Sequence, residues 1–381
     1  MSSPPRYDAF AITAPGLEQL TAGELKMLGA DDAHATEGGV AFTASRRSLY
    51  SANLHLRTAS RVIVRVGEFG ATAFHELERR AGKVPWEGFV SPNLGVSLRV
   101  TCRKSRLYHS DAVAERVAAA IGSRVRGTRM VDDGGDDADV PDLLVVVRLF
   151  HDRCTVSVDS SGALLHRRGY RQAVAKAPIR ETLAAATLIA SGWHADAPLV
   201  DPMCGSGTIP IEGALIARQI APGLRRSFAF EHWPDFDAAA WHDVKADAEA
   251  TILPSAPSWI RGSDRDAGAI ESARANAARA GVENDIEFSA RPISAIDPMD
   301  EAGWLVSNPP YGLRVGEVDR LRNLYSQLGH VVRARCARCH VALVSAEPQL
   351  ERQLGLRLRP VLQTSNGGIK VRVVTGSTAA T

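Results

Sequence analysis

Two short motifs in this chain could perform chemistry together, and about a hundred residues separate them. The first reads Asp201-Pro202-Met203-Cys204-Gly205-Ser206-Gly207-Thr208, a glycine-rich turn of the kind that leads from a strand into a helix and can hold a nucleoside cofactor. The second, Asn308-Pro309-Pro310-Tyr311, combines polar and apolar groups in a clamp suited to a planar amine. In this order and at this distance, the two motifs predict a methyltransferase that acts on a nucleobase amino group.

The glycine-rich turn follows a predicted strand that ends at Asp201. In open α/β sheets, ligands bind beyond the carboxyl ends of the strands. Gly205 and Gly207 allow a ligand to approach the backbone closely, and Ser206 and Thr208 are candidates to cap the next helix. The turn lacks the Gly-Lys-Ser/Thr of a Walker loop and the third glycine of the dinucleotide fingerprint, so it matches neither. A tight turn that binds nothing is the alternative.

Acidic residues follow the next predicted strand, in Gly262-Ser263-Asp264-Arg265-Asp266. An acid at this place can accept hydrogen bonds from both hydroxyls of a ribose. Asp264 is the first candidate and Asp266 the second, with an N-cap as the alternative role of Asp266. Cys204 is expected to pack rather than to act as a nucleophile, because no histidine partner is evident nearby. The candidate cofactor residues are therefore Asp201, Met203, Cys204, Gly205, Ser206, Gly207, Thr208, Asp264, Arg265 and Asp266.

The amine clamp is the candidate catalytic group, and it comprises Asn308, Pro309, Pro310 and Tyr311. The Asn308 side-chain oxygen and the Pro309 carbonyl can accept the two hydrogens of an exocyclic amine, while Tyr311 can stack on the base. This arrangement favours a pyramidal nitrogen whose lone pair can attack a sulfonium methyl, so catalysis would be mostly positioning and electrostatics. A base in a duplex would have to be flipped out first. A rigid turn without a ligand is the alternative.

Composition limits the partners of the chain. The 381 residues carry a formal net charge of only +2, but residues 99–129 form a basic stretch. Arg103, Lys104 and Arg106 are its candidates for phosphate contact, and a merely solvated helix face is the alternative. No apolar run is long enough to span a membrane, and the N-terminus lacks the apolar core of a signal peptide. Five irregularly spaced cysteines favour a reducing cytoplasm over a disulfide framework.

No metal site is expected. The run Cys336-Ala337-Arg338-Cys339-His340 matches the haem-attachment pattern, but it falls between a predicted helix and a predicted strand, in a chain without an export signal. A second cysteine pair that would complete four zinc ligands is also missing.

The predicted elements change character along the chain. The first third interleaves short strands and helices, which is typical of α+β structure. From about residue 178, strands and helices alternate strictly, which predicts a doubly wound α/β domain with a largely parallel sheet. The strands predicted there are Leu199–Val200, Trp259–Gly262, Ile286–Phe288, Trp304–Ser307, His340–Ser345 and Lys370–Thr375.

These residues resemble those of the THUMP-domain RNA methyltransferases, and most of all the guanine-N2 methyltransferases of 23S ribosomal RNA. The resemblance is carried by Leu164–Arg171, Ala177–Ala186, Asp201–Thr208, Ile220–Leu224 and Asn308–Gly312. It implies a ferredoxin-like domain at 1–65, a THUMP RNA-binding domain at 66–160 and a Rossmann-like class I methyltransferase domain at 161–381. It also implies S-adenosylmethionine at the glycine-rich turn and Asp264, and a guanine N2 amine at the clamp. Three further arginines, Arg167, Arg168 and Arg171, would either contact RNA or bridge the domains.

The chain departs from this family at one place. The family usually has an acid after the third strand that accepts a hydrogen bond from the adenine of the cofactor, and here Pro292 takes that place. Ile293 is then the candidate for apolar packing against the adenine, and losing one hydrogen bond would cost about 1 kcal/mol. Two other functions stay open: a tRNA guanine-N2 methyltransferase, and an RNA-binding protein with a decayed cofactor pocket. A DNA adenine-N6 methyltransferase could share the clamp, but the N-terminal resemblance to an RNA-binding module argues against it.

Overall fold

The computed structural model describes residues 6–132, 143–172, 179–299, 301–311 and 317–378, with the backbone alone at 317–320. The chain divides by its contacts into two units. The first comprises Met1–Thr13, Thr21–Leu165 and Arg226–Ala246, and the second comprises Ala14–Leu20, His166–Arg225 and Asp247–Thr381. Residues 177, 178 and 312 of the motifs named above lie outside the described residues.

One eight-stranded sheet forms the first unit. Its strands are β1 (Arg6–Thr13), β2 (His34–Thr36), β3 (Gly39–Ser45), β4 (Ala59–Gly70), β5 (Gly95–Arg103), β6 (Arg129–Met130), β7 (Leu143–Phe150) and β8 (Arg153–Asp159), in the order β2-β3-β1-β4-β8-β7-β5-β6. The helices of this part of the chain are α1 (Glu18–Met27), α2 (Arg46–His55), α3 (Phe74–Ala81) and α4 (Ser110–Arg124), with a 3-10 turn at Trp86–Gly88. The predicted α+β character of the first third is confirmed.

Strand β4 makes this sheet continuous. It pairs antiparallel with β1 on one side and with β8 on the other, so the N-terminal strands and the later strands share one set of hydrogen bonds. The predicted boundary between residues 65 and 66 falls inside this strand. The predicted cap of α2 is confirmed, because the Ser45 hydroxyl accepts a hydrogen bond from the Ser48 backbone nitrogen at 3.2 Å.

Residues 226–246 belong by contact to the first unit, although the methyltransferase domain was predicted to span 161–381. This segment contains a 3-10 turn, Ala229–His232, and most of helix α7 (Ala238–Ala250). Phe230 stacks on Tyr50 with ring centroids 4.3 Å apart, and Trp233 meets Phe89 edge-on at 5.0 Å. Buried aromatic contacts of this kind contribute beyond their area, and they explain why the segment joins this core.

A seven-stranded sheet forms the second unit. Its strands are β9 (Leu199–Asp201), β10 (Ile260–Asp264), β11 (Ile286–Ala290), β12 (Gly303–Ser307), β13 (Cys339–Ser345), β14 (Arg359–Asn366) and β15 (Ile369–Ser377), in the order β11-β10-β9-β12-β13-β15-β14. Its helices are α5 (Glu181–Ser191), α6 (Thr208–Ala217), α8 (Ala267–Ala280), α9 (Glu317–Arg335) and α10 (Pro348–Gln353), with 3-10 turns at Glu283–Asp285 and Ile293–Ala295.

The strand order of this sheet fixes where a ligand can bind. Strands β11, β10, β9, β12 and β13 are parallel, and β15 and β14 are antiparallel. The chain leaves β9 towards β10 and β11, then crosses back to β12 on the other side. Such a reversal opens a crevice at the carboxyl ends of the two central strands. The predicted doubly wound α/β fold is confirmed.

Apolar layers cover both faces of the second sheet, as alternate residues of each strand require. Leu199 of β9 and Val306 of β12 belong to one buried cluster, while Val200 and Leu305 belong to the other.

Within the described ranges, no helix is both long enough and apolar enough to cross a membrane.

Candidate active site

The glycine-rich turn joins β9 to α6 and depends on two left-handed glycines. Gly205 has φ +52° and Gly207 has φ +84°. A Cβ atom on Gly207 would lie 2.9 Å from the Cβ of Ala273 and 3.1 Å from the ring of Phe288, whereas one on Gly205 would meet no heavy atom within 4 Å. Gly207 is therefore required for packing, and Gly205 leaves a bare stretch of backbone facing open space.

Asp264 holds this turn against the neighbouring strand. One of its carboxylate oxygens accepts a hydrogen bond from the Gly205 backbone nitrogen at 3.1 Å, and the other accepts from the Asp266 backbone nitrogen at 3.0 Å. The Cys204 backbone nitrogen donates to the Ser263 carbonyl at 2.9 Å. Each carboxylate oxygen can accept more than one hydrogen bond, so the half-buried Asp264 can still receive donors from a ligand.

Asp266 and Arg265 lie beside Asp264 but are placed differently. The Asp266 carboxylate caps α8, accepting from the Gly268 nitrogen at 2.9 Å and the Ala269 nitrogen at 3.4 Å. The alternative role weighed for Asp266 is therefore the one that the structure displays. Arg265 is exposed.

The expectation that Ser206 and Thr208 cap α6 is wrong. Gly207 is the N-cap residue and provides no side-chain hydrogen bond. The Ser206 carbonyl instead accepts from the Asn276 side chain at 3.0 Å, and the Thr208 hydroxyl accepts from Arg171 at 2.9 Å. Gly207 occupies the N-cap position, and glycine has no side chain with which to cap the helix.

Three predicted cofactor residues are apolar or sulfur-containing. Cys204 is buried, and burial raises the pKa of its thiol well above the ordinary value, as expected of a packing residue and not of a nucleophile. Met203 and Ile293 pack into the same cluster as Val200. Pro292 caps the 3-10 turn that begins at Ile293, so it shapes the backbone at the place where the sequence lacks an acid.

A hydrogen bond that was not predicted connects the two motifs. The Ser307 hydroxyl donates to the Asp201 carboxylate at 2.6 Å, and the same oxygen accepts from the Met203 backbone nitrogen at 3.1 Å. Burial raises the pKa of Asp201 to about 7, although these two hydrogen bonds act in the opposite direction. Ser307 immediately precedes Asn308, so one carboxylate fixes both the start of the turn and the start of the clamp.

In the clamp, Asn308 already has a hydrogen-bond donor. The Tyr311 hydroxyl donates to the Asn308 side-chain oxygen, and its ring packs against the core. Burial raises the pKa of Tyr311 to about 12, so the phenol keeps its proton at neutral pH. From α9, the buried Tyr325 donates to the Pro310 carbonyl at 3.1 Å. Tyr325 lies 15 residues after Pro310, and no pattern in the chain points to its role.

Of the three arginines predicted to contact RNA or bridge the domains, Arg168 is buried, and Arg167 and Arg171 are half-buried. Arg168 is 2% exposed and forms an ion pair with Glu212 of α6, whose other oxygen accepts from the Tyr170 hydroxyl at 2.9 Å. A guanidinium at this depth cannot reach RNA, so the prediction of an RNA contact at Arg168 is wrong.

Arg171 is similarly engaged inside the second unit. Its guanidinium donates to the Ile179 carbonyl at 2.6 Å and to the Thr208 hydroxyl at 2.9 Å, and it lies 3.1 Å from the Glu181 carboxylate. Arg171 thus anchors the start of α6 and does not fit an RNA contact. Arg167 is half-buried.

The basic residues of the first unit have the opposite placement. Arg103 ends β5, and Lys104 and Arg106 follow in the loop that leads to α4; all three are exposed. This placement is compatible with phosphate contact.

The Cys336 and Cys339 thiols are buried, with the Cys339 sulfur 3.8 Å from the sulfur of Met299. His340 stacks on Trp304 at 4.5 Å, so these residues take part in packing.

Three family models match consecutive parts of the chain. The RlmL ferredoxin-like domain matches residues 8–63, the THUMP domain matches 71–159, and the RMKL-like methyltransferase domain matches 168–374, which is more than half of the chain.

Two relatives and one solved structure illustrate the similarity. A putative RNA methyltransferase of Synechocystis is 36% identical over 361 residues, covering 94% of both chains. The ribosomal RNA large subunit methyltransferase K/L of Syntrophotalea carbinolica is 36% identical over 98% of this chain, which spans only 54% of that protein. A putative methyltransferase crystallised with S-adenosylhomocysteine superposes with a TM-score of 0.89 at 29% identity, covering 100% of both chains.

Proposed function

The chain belongs to the family of RMKL-like methyltransferases, and we propose that within it this protein methylates the exocyclic N2 of guanine in 23S ribosomal RNA. Membership makes it an RNA methyltransferase with S-adenosylmethionine as cofactor. The observation that carries the finer proposal is the Ser307–Asp201 hydrogen bond, which holds an amine-accepting clamp beside a nucleoside-binding turn. The ribosomal target is supported by the K/L relative, and guanine by the motif resemblance.

The residues of the second unit fit the cofactor. The bare backbone at Gly205 provides the close approach, and the Asp264 carboxylate provides acceptors for ribose hydroxyls. Met203 and Ile293 provide an apolar surface for the adenine on the side where Pro292 replaces an acid. When bound, S-adenosylmethionine supplies an electrophilic methyl group on a sulfonium centre.

The clamp residues would hold and orient the amine. Asn308 presents a side-chain oxygen that already accepts one hydrogen bond, from Tyr311, and an amine hydrogen can take the place of that phenol. Tyr325 fixes the Pro310 carbonyl and thereby the backbone between the acceptors. With both hydrogens held, the nitrogen lone pair is directed away from the ring, and positioning supplies most of the catalysis. No group of the clamp has to remove a proton before the transfer.

The division into domains and the site assignments are part of this proposal. We assign a ferredoxin-like domain to 1–65, a THUMP domain to 66–160 and the methyltransferase domain to 161–381, with residues 226–246 packed in the first unit. RNA would contact Arg103, Lys104 and Arg106, which are exposed.

The cofactor site is tested by calorimetry with S-adenosylmethionine, on the wild type beside Asp264→Ala. Micromolar binding by the wild type and its loss in the variant are expected, because the substitution removes the acceptors for ribose and a support of the turn. A wild type that binds no cofactor would favour the alternative of an RNA-binding protein whose pocket has decayed at Pro292.

The acceptor is tested by incubating the protein with 23S rRNA and isotope-labelled S-adenosylmethionine, followed by nucleoside mass spectrometry. We expect N2-methylguanosine as the product, and its loss in Asn308→Ala, which leaves the cofactor turn intact. N6-methyladenosine would contradict the guanine assignment; a Listeria relative with 34% identity is described as a predicted N6-adenine-specific DNA methylase. Labelling of tRNA alone would move the target from ribosomal to transfer RNA.

A further inference from the structure

Two aromatic side chains face water at one end of the first unit's sheet. Tyr108 is 69% exposed and Phe150 is 39% exposed, and among the described residues they are the aromatic members of the exposed large apolar side chains. Phe150 ends β7, and Tyr108 lies in the loop between β5 and α4. An exposed ring presents a flat face that single-stranded nucleic acids use for stacking.

Two cations lie over the Phe150 ring. The Lys104 amine lies 5.9 Å and the Arg148 guanidinium carbon 5.5 Å from the ring centroid, within the range of cation–π attraction. The register of β5 and β7 also places Arg103 opposite Phe150. A positive charge beside an aromatic face matches a nucleotide, which carries a flat base and a negative phosphate.

Each exposed ring also has a histidine neighbour. The ring centroids of His109 and Tyr108 are 4.1 Å apart, with the ring planes tilted by 40°. The His151 ring meets the Phe150 ring edge-on, with centroids 4.3 Å apart. We call Lys104, Tyr108, His109, Arg148, Phe150 and His151 the aromatic platform.

The backbone below the platform is fixed in an unusual conformation. Of the five non-glycine residues with positive φ in the described chain, three are here: Lys104 at +49°, His151 at +50° and Asp152 at +61°. Left-handed residues of this kind each cost on the order of 1 kcal/mol and cluster at binding sites. Asp152 connects the turn after β7 to the loop after β5. Its carboxylate accepts a hydrogen bond from the Arg106 backbone nitrogen at 2.7 Å, and its own backbone N–H donates to the Ser105 hydroxyl at 3.0 Å.

We propose that the aromatic platform binds unpaired RNA by stacking bases on Phe150 and Tyr108 while its cations contact the adjoining phosphates. The inference rests on the proposed function, since it assigns part of the RNA substrate to a surface of the THUMP region. Stacking tolerates any base, because every base has a flat face. In a duplex those faces are covered by neighbouring base pairs, so only the cations of the platform would be available to it. The platform therefore selects a single-stranded region of the substrate.

The test measures the affinity of the full-length protein for a fluorescent oligoribonucleotide containing only A and U. The strand is used unpaired and as a duplex, and it offers no guanine as methyl acceptor. Phe150→Leu and Tyr108→Leu keep the surface apolar and the charge unchanged but remove the rings. Each should weaken unpaired-strand binding about tenfold, in the range of one stacked base, and leave duplex binding unchanged. Met27→Ala is the matched control, since Met27 is an 82% exposed apolar side chain of α1.

The proposal would be overturned if a variant lost affinity equally for the unpaired strand and the duplex, or if neither variant lost affinity for the unpaired strand. Absence of strand binding by the wild type would also overturn it and would point to a protein partner for the platform. Thermal unfolding checks that each variant is folded. Because the probe contains no guanine and the assay needs no S-adenosylmethionine, its result does not depend on whether the protein methylates guanine.

Discussion

Two groups of basic residues, both predicted from the sequence to contact RNA, occupy opposite environments. Arg103, Lys104 and Arg106 are exposed at the end of β5, while Arg168 and Arg171 are directed into the second unit. The difference arises from residues far along the chain. Glu212 and Glu181 meet the second group inside the fold, and a buried cation needs such a partner. An arginine-rich motif therefore does not by itself identify a nucleic-acid surface.

The second group has a structural task near the cofactor turn. Both of its arginines act on α6, Arg168 through Glu212 in the body of the helix and Arg171 through Thr208 at its first residue. Within the described part of the chain, no comparable ion pair connects the first group to a core. The two groups should accordingly differ in what they control: stability and cofactor affinity for the buried group, RNA affinity for the exposed one.

The largest effect is expected when the buried group loses Arg168. Arg168→Met should destabilise the protein by about 3–5 kcal/mol, because it leaves the Glu212 carboxylate buried without its cation. Urea unfolding would measure the free energy of unfolding. Arg106→Met, the same change at an exposed site, should remain within about 0.5 kcal/mol of wild type.

A double variant separates the ion pair from the packing around it. Arg168→Met with Glu212→Leu removes both charges, and it should be more stable than Arg168→Met alone. If Arg168→Met were as stable as Arg106→Met, the distinction between the two groups would have no energetic basis.

A smaller effect, on the cofactor, is expected at Arg171. Arg171→Gln removes charged hydrogen bonds to the Ile179 carbonyl and the Thr208 hydroxyl, each worth about 1.5–3 kcal/mol. Since Thr208 begins the helix that follows the glycine-rich turn, S-adenosylmethionine affinity should fall about tenfold or more, as measured by calorimetry. Arg106→Gln is the control and should bind the cofactor as the wild type does. Unchanged affinity in Arg171→Gln, with RNA binding weakened instead, would restore the original prediction of an RNA contact.

Local pattern was sufficient for most of the second sheet. Strand β12 was predicted to begin one residue later than it does, and β10 was predicted to begin one residue and to end two residues earlier than it does. Strand β14 was not predicted, because Pro360 and a bulge beside it interrupt the alternation that marks a strand. The sequence did not indicate that residues 226–246 pack by contact in the first unit, since an aromatic-rich segment carries no signal of which core will receive it.

The candidate active site was also predicted only in part from the sequence. The motifs placed Asp201, Asp264 and Asn308 at strand ends, and the structure has them there. The hydrogen bonds from Ser307 to the Asp201 carboxylate and from Tyr325 to the Pro310 carbonyl join residues that only the fold brings together. Sequence spacing therefore predicts which atoms could react, whereas the supporting contacts depend on tertiary structure.

The smallest effect is expected on RNA affinity when the exposed group loses one cation, Arg106. This variant tests most directly whether the exposed and the buried group differ in what they control. Arg106→Gln should leave the free energy of unfolding and the S-adenosylmethionine affinity at wild-type values, because its side chain is exposed. If Arg106 neutralises one phosphate, the variant should release one fewer counterion, so the slope of log affinity against log salt should fall by about 0.7 for a single strand. At low salt, losing one phosphate contact should make RNA binding by the variant about fivefold weaker than by the wild type, and this difference in affinity should shrink as the salt concentration rises. A loss independent of salt would instead indicate a disturbed loop, since the Arg106 backbone nitrogen donates to Asp152. An unchanged slope would remove Arg106 from the RNA-binding group.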